Sequence, residues 1–482
     1  MTRHAPVAIA AALLGGLAAT SAHAQSAPTI VTARGDSLSS DTITFALRDG
    51  ARAGTIASLR VPERRAARGA QRITIRWIRF ASTAAAPTAP IVFLAGGPGD
   101  AATRAFATMP SAFLDSLRAV GDVIAFDQRA TGRSEPLLPC GVDGQLPLDR
   151  VLTTASRDSA ARQVAQRCVA AIRARGVDVE GYTTAESVED LESLRIALGV
   201  PTLSMLGGSY GTHLGLAFAR RYPARASRIV LAGVEGPDDT FKLPSRVDAS
   251  FSEVSRLAAA DSAFRDRPSL LAVFDRLRAR LDGDSVRVAL GGATVALGTW
   301  DLQRFVADAL GDMRAIQQLP SQLYAFNRGD WQLLARGAAR LRQPRLGNAM
   351  NLLVNCTSGA SVARQQQIVR ERAAARLGDV IDFPANSVCT TLDVPRLPDA
   401  FRATSRNPSS ILMVSGSLDG RTPPENAEAL LSQFPNARHL VIEYQSHSLM
   451  GDAAFSPAMM RYLRGQDVRS ARVVRPTPSF AR

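Results

Sequence analysis

Lysine is nearly missing from this 482-residue chain: Lys242 is its single copy, so the excess of 57 basic over 43 acidic residues is an arginine bias. The formal charge of +14 is spread along the sequence, and only 6% of residues are aromatic. A nucleic-acid groove needs a basic track interleaved with stacking rings, so no nucleic-acid partner is expected. The densest basic stretches, Arg60–Arg72 and Arg469–Arg482, read as solvated faces. Histidine is scarce as well, with five copies, and no two of the four cysteines stand at the close spacing of a zinc knuckle. No metal and no organic cofactor is therefore expected. Beyond the N-terminal region no run of about 18 uninterrupted apolar residues occurs, so a membrane-spanning helix is not expected either. With 46% hydrophobic and 21% charged residues the chain can bury a large core, which excludes a disordered protein.

The N-terminus has the pattern of an export leader. Arg3 and His4 precede an apolar stretch from Ala5 to Thr20, and Ala22-His23-Ala24 supplies the small-x-small pattern that a signal peptidase cuts before Gln25. A signal peptide over residues 1–24 is expected, with the mature chain in a periplasm or secreted and without a stable membrane anchor. Export to an oxidising compartment makes disulfides the expectation for Cys140, Cys168, Cys356 and Cys389. Three pairings are open, and the neighbours in sequence, Cys140 with Cys168 and Cys356 with Cys389, are favoured.

Along the chain, two segments near Thr55–Val61 and Ile73–Phe80 read as antiparallel strands. Short apolar runs then recur at Ile91–Ala95, Val123–Phe126, Leu203–Leu206, Ile229–Ala232 and Ile411–Val414, as strands buried on both faces do. Helical patterns such as Ala185–Leu198 and Leu214–Arg221 separate them. The fold class is α/β, with a mostly parallel sheet, an antiparallel start and an inserted, mainly helical cap. The cap takes residues 238–407, rich in helical patterns such as Leu270–Leu281, Leu302–Leu310 and Trp331–Leu341. The core takes 25–237 and resumes at 408–482.

Chemistry is expected at the strand ends. Gly207-Gly208-Ser209-Tyr210-Gly211 follows the strand Leu203–Leu206 and runs into a helix, the strand–turn–helix context in which G-x-S-x-G holds a nucleophilic serine. A serine hydroxyl needs a base, and the base an orienting carboxylate. Asp419 follows the strand at Ile411, and His447 follows a strand at His439–Glu443, in the chain order serine, acid, histidine. His213 lies inside the elbow helix and His439 starts a strand, so His447 is the best-placed base. The N–H groups of Tyr210 and of Gly97, in the loop Gly96-Gly97-Pro98-Gly99, are the expected oxyanion donors. The same loop also fits a dinucleotide fingerprint, with Asp127 as a ribose-binding acid. Against that reading, Pro98 removes an N–H from the cradle and Asp127 lies further along the chain than such an acid does.

Taken together, Gly96-Gly97-Pro98-Gly99, Asp127-Gln128-Arg129-Ala130-Thr131-Gly132-Arg133-Ser134, Gly207-Gly208-Ser209-Tyr210-Gly211-Thr212, Asp419 with Thr422-Pro423, and His447 resemble the prolyl and tripeptidyl aminopeptidase family of α/β-hydrolase serine peptidases. The resemblance spans about residues 50–465. It implies an exopeptidase acting on free N-termini, with Ser209 as nucleophile, His447 as base, Asp419 as orienter and a cap restricting entry. Two positions depart from the family pattern. Ala130 stands where the pattern has its first glycine, and Ser358 stands where members often carry an acid two residues after the cap cysteine. Glu235, Asp238 and Asp239, at the entry to the cap, are the substitutes for holding a substrate ammonium. Two other readings stay open: a carboxylesterase or amidase using the same triad, and a catalytically silent α/β-hydrolase that binds a partner through its cap. The substrate is a peptide or a small ester or amide, and the sequence leaves the oligomeric state undetermined.

Overall fold

Residues 30–141, 144–283, 286–343, 347–403 and 405–481 are described by the computed structural model, so the expected leader over residues 1–24 lies outside the described residues. Strands β1 to β8 are Ile30–Val31, Ser37–Leu47, Gly50–Pro62, Arg72–Phe80, Ile91–Leu94, Val123–Asp127, Leu203–Gly208 and Ala226–Ala232. Strands β9 and β10, Val286–Leu290 and Ala293–Leu297, form a separate hairpin, and β11 to β13 are Ser410–Gly416, Arg438–Ile442 and Ala471–Val473. The large sheet runs β1-β2-β3-β4-β6-β5-β7-β8-β11-β12-β13. Strands β1 to β4 pair antiparallel and β4 meets β6 antiparallel; from β6 onward every pairing is parallel.

The apolar runs are continuous because both faces of this sheet are covered. Val92 and Leu94 of β5 pack with Phe126, Leu191 and Phe218 on one side, under the helices Thr154–Ala174, Thr184–Ala197 and Tyr210–Arg221. Ile91 and Phe93 face the other side, with Phe106, Leu117 and Leu463 from the helices Ala102–Thr108, Ser111–Arg118 and Phe455–Leu463. A third cluster, including Phe251, Phe274, Trp300 and Leu319, is built within the helical insertion between β8 and β11. The later part of that insertion does not stand apart from the core. Ala349, Leu353, Val354 and Val388 join the cluster on the elbow-helix side of the sheet.

The structure pairs Cys140 with Cys168 and Cys356 with Cys389, with Cα atoms 4.8 Å apart in each pair. The first ties the loop after β6 to the helix Thr154–Ala174, and the second ties the helix Ala349–Ser358 to the segment around Val388.

Several expectations need correction. Strand β2 was not expected, because Ser37–Leu47 is mostly polar and gains its place by pairing with Gly50–Arg60 of β3. The insertion is mainly helical, as expected, and also carries the β9–β10 hairpin. Neither basic stretch is a plain solvated face. The tail contributes the edge strand β13 and sends Phe480 back into the cap cluster, where it is 6% exposed and meets Phe264 edge-on. In the other stretch, Arg65 turns inward to pair with Glu186 at 2.6 Å and Asp190 at 2.7 Å.

That inward turn completes an ion cluster around Arg129, which is fully buried. Its guanidinium grips Asp190 through two bonds of 2.8 and 2.7 Å, and donates to the carbonyls of Glu63 and Gly181. Burial pushes the Asp190 carboxyl up, but Arg129 and Arg65 beside it hold it below the usual carboxylate range. The cluster fixes the loop after β6 to the helix Thr184–Ala197. On that loop Ala130 sits at φ 58°, a left-handed backbone that explains why the family pattern has glycine there. Its carbonyl accepts from Asn348 Nδ2 at 2.6 Å. Arg129→Met is expected to lower unfolding free energy by roughly 3 kcal/mol, the lower end of the cost of stranding a buried charge, because Arg65 remains as a partner. A denaturant titration of the two proteins measures it.

Candidate active site

In a parallel sheet, loops at the carboxyl ends of neighbouring strands converge on one edge. The glycine loop follows β5, Ser209 follows β7, Asp419 follows β11 and His447 follows β12, and these strands are consecutive in the sheet apart from β8. Ser209 caps the helix Tyr210–Arg221 at φ 53°, ψ −126°, a conformation that side chains other than glycine rarely adopt. Its N–H donates to the Ala232 carbonyl at 3.0 Å, and its carbonyl accepts from Thr212 Oγ1 at 2.6 Å. These bonds hold the strained turn open, with Ser209 itself only partly buried.

Asp419 is wholly buried and would be an isolated charge without donors. It has four. Oδ1 accepts the N–H groups of Arg421 at 2.7 Å and Thr422 at 2.9 Å; Oδ2 accepts the Thr422 hydroxyl at 2.7 Å and meets His447 Nδ1 at 2.9 Å. Burial pushes the carboxyl up, but His447 beside it and the Thr422 donors hold it below the usual carboxylate range, so it is ionised at neutral pH. The carboxylate can only accept, so the His447 proton sits on Nδ1 and leaves Nε2 with a free lone pair.

The other two described histidines are poor bases. His439 is pushed down to about 4 by burial and meets Ser415 Oγ, and burial likewise depresses His213, whose Nδ1 faces the Gly236 carbonyl.

Ser209 and His447 both adjoin the Ala232-Gly233 pair. Ser209 is bonded to Ala232, and a Cβ built on Gly233, at φ 66°, would lie 3.2 Å from His447 Nδ1 and 2.9 Å from Thr422 Oγ1. Any side chain there would displace the base. Among the described residues Ser209 Oγ makes no hydrogen bond to His447; such bonds often tighten only when substrate arrives. The glycine loop closes the other side, where a Cβ on Gly96 would stand 3.1 Å from the Cβ of Ser209. Neither Gly97 N–H nor Tyr210 N–H has an acceptor among the described residues, so both remain available to an oxyanion. Asn351 Nδ2 holds this loop from above, donating to the Pro98 carbonyl at 2.9 Å.

Asp127 does not face this site as a ligand-binding acid would. It is buried and accepts from Thr103 N, Thr103 Oγ1 and Arg133 N at 2.7–2.9 Å, joining the loop after β6 to the helix Ala102–Thr108.

The three acids considered for a substrate ammonium all have internal partners. Asp238 accepts from Ser361 N and Oγ at 2.6 Å each, and Asp239 pairs with Arg364 at 2.7 Å. Glu235 Oε2 takes the Lys242 ammonium at 2.9 Å, while its N–H donates to Thr212 Oγ1, which ties it to the elbow. Only the second carboxylate oxygen of Glu235 lacks a hydrogen bond among the described residues. Ser358 is buried in a neutral hydroxyl chain, Ser358–Thr184–Tyr210, with links of 3.1 Å. No charge stands at that position.

The chain's likeness to known proteins follows the site. The model of the α/β hydrolase fold matches residues 89–454. The chain belongs to that family. This α/β-hydrolase is 25% identical over 426 residues to a protein of Mycobacterium tuberculosis named serine protease Hip1, covering 78% of each chain. It is 27% identical over 394 residues to the tripeptidyl aminopeptidase of Streptomyces coelicolor, covering 75% of this chain and 71% of the relative. A shorter match, 27% over 150 residues, links it to the proline iminopeptidase of Xylella fastidiosa, with 30% and 32% covered. The relatives thus include the group that the motifs resemble.

Sequence reasoning missed the part played by Thr422. Its hydroxyl donates to Asp419 Oδ2 and stands 3.0 Å from His447 Nδ1, so it braces both members of the pair. The signal was the Thr422-Pro423 step three residues past Asp419, quoted as pattern without a role. Thr422→Val is expected to lower kcat on an activated ester about tenfold with KM nearly unchanged, the worth of one hydrogen bond to a charged group, and Thr422→Ser is expected to restore it. Steady-state kinetics of the three proteins checks this.

Behind Glu235, the Lys242 N–H donates to Asp382 Oδ2 at 2.7 Å. Burial pushes the Asp382 carboxyl up to about 7, against a lowering by Lys242. Between the ordinary carboxylate value and about 7 the folded state therefore binds a proton that the unfolded state has released, and stability falls as pH rises through that window. Asp382→Asn is expected to remove this slope, so that the melting temperature of the variant gains on wild type from pH 5 to pH 8. Thermal unfolding at the two pH values measures it.

Proposed function

We propose that this α/β-hydrolase is an exported serine aminopeptidase that releases residues from the free N-terminus of peptides through an acyl-enzyme. The observations that support the chemistry are the buried, four-donor Asp419 bonded to His447 Nδ1 and the strained elbow that holds Ser209. In this reading His447 Nε2 takes the Ser209 proton as Oγ attacks the carbonyl carbon. The oxyanion forms between the N–H groups of Gly97 and Tyr210. The imidazolium, stabilised by Asp419, returns the proton to the leaving amine, and water then repeats the sequence on the acyl-enzyme under the same base. Export is supported by the leader pattern and by two cysteine pairs at bonding distance. Among the described residues no helix is long and apolar enough to cross a membrane.

The aminopeptidase assignment rests on the relatives and on the helical insertion, with Glu235 as the acid best placed to hold the substrate ammonium. A carboxylesterase or amidase using the same triad is the second reading. It is favoured by the neutral Ser358 and by the internal partners of Asp238 and Asp239. A peptide p-nitroanilide offered with free and with acetylated N-termini separates the two. Cleavage of the free form alone, abolished in Ser209→Ala and weakened in Glu235→Gln, is expected. Equal cleavage of both forms would remove the aminopeptidase claim and leave the esterase or amidase.

A further inference from the structure

Away from the strand-end loops, a cavity of about 220 Å³ lies in the seam between the core helix Thr154–Ala174 and the insertion. Its volume is below the roughly 300 Å³ at which sites for drug-sized ligands begin, so it suits a smaller molecule. None of its lining residues belongs to the triad or the glycine loop. The walls are apolar, with Leu146, Val164, Leu352, Phe383 and Val388, and every charged residue lining it is an arginine: Arg157, Arg304 and Arg340.

Two features of this cavity have no account within the fold. Trp300 lines it and is 7% exposed, and its buried indole N–H has no acceptor among the described residues. Arg157 stacks its guanidinium 4.9 Å from the centre of the Trp300 ring and 5.3 Å from that of Phe383. Its one carboxylate partner is its sequence neighbour Asp158, reached through Nε at 3.3 Å. Both terminal nitrogens therefore lack an acceptor among the described residues. Arg304 is already committed, to Asp308 and to the carbonyls of Val380 and Phe383, whereas the exposed Arg340 side chain has no hydrogen-bond partner among the described residues.

We infer that this cavity binds a small carboxylate carried on an apolar or aromatic body. The planar head matches the free fork of Arg157, and the body packs against Leu146, Val164, Leu352 and Val388. A phosphate would carry more charge and hydration into walls that offer it little. The same chemistry is presented by a free carboxylic acid and by the C-terminus of a short peptide. The site is separate from the triad and does not depend on the aminopeptidase reading. Leu352 nevertheless adjoins Asn351, which holds the glycine loop, so the two sites share one helix.

Calorimetric titration of the purified protein with 4-phenylbutyrate and with 4-phenylbutyramide is the test. Saturable binding of the acid, with the neutral amide and the Arg157→Leu variant each weaker by about tenfold, is the expected result for a charge-assisted contact. Trp300→Phe should abolish the ligand-dependent change in tryptophan fluorescence. Thermal unfolding shows whether Arg157→Leu is folded; if it is not, Arg157→Lys, which keeps the charge and loses the planar fork, carries the same comparison. Titrating Ser209→Ala with Ala-Phe and with its C-terminal amide distinguishes the sources. A peptide terminus is indicated if the dipeptide binds more tightly than 4-phenylbutyrate, and a free acid if it binds less tightly. Absence of saturable binding up to about 10 mM, equal binding of acid and amide, or unaltered binding in the folded arginine variant overturns the proposal.

Discussion

A carboxylate with no access to water persists as a charge only where the protein supplies donors in place of the solvent, and Asp419 is that group here. Its four hydrogen bonds draw on the turn after β11, on Thr422 and on the loop after β12. Once those are formed, the His447 tautomer is set, and with it the direction of the free lone pair. Much of the surrounding architecture serves to keep this pair and the elbow in register. Gly233 leaves room for the ring, and the Ala232 carbonyl next to it anchors Ser209.

The same problem recurs at a distance. Arg129, Asp190 and Arg65 form a second buried ionic unit, which fixes the loop after β6 rather than any reacting group. Both clusters hold charge at full burial by satisfying nearly every donor and acceptor. Their outcomes differ because one ends in a partly exposed imidazole and the other in arginines that cannot lose a proton. The helical insertion connects to both regions. Asn348 reaches the loop after β6 and Asn351 reaches the glycine loop, from successive turns at the start of one helix.

The strands of the parallel half were legible because burial on two faces leaves no choice but apolar residues, as in Ile91–Leu94 and Val123–Asp127. Ser209, Asp419 and His447, the proposed triad, could be picked out because all three stand just past strands, in an order that the topology sets. Strand β2 was not legible, since its polar residues carry no apolar run and take their place only by pairing with β1 and β3. Arg65 and Phe480 were misjudged for a related reason: sequence shows an arginine-rich stretch, while the partners that bury these two residues lie more than a hundred positions away. Thr422 was visible as a motif residue, but its hydroxyl gains a role only when Asp419 and His447 are placed on either side of it.

The account stands on Ser209 being an activated nucleophile. Treating the protein with a fluorophosphonate and locating the adduct by peptide mass spectrometry tests that most directly. The account predicts a single adduct on Ser209, formed at least about a hundredfold more slowly in His447→Ala, within the range that general-base assistance contributes. An unmodified Ser209, or labelling that is indifferent to His447, would contradict it.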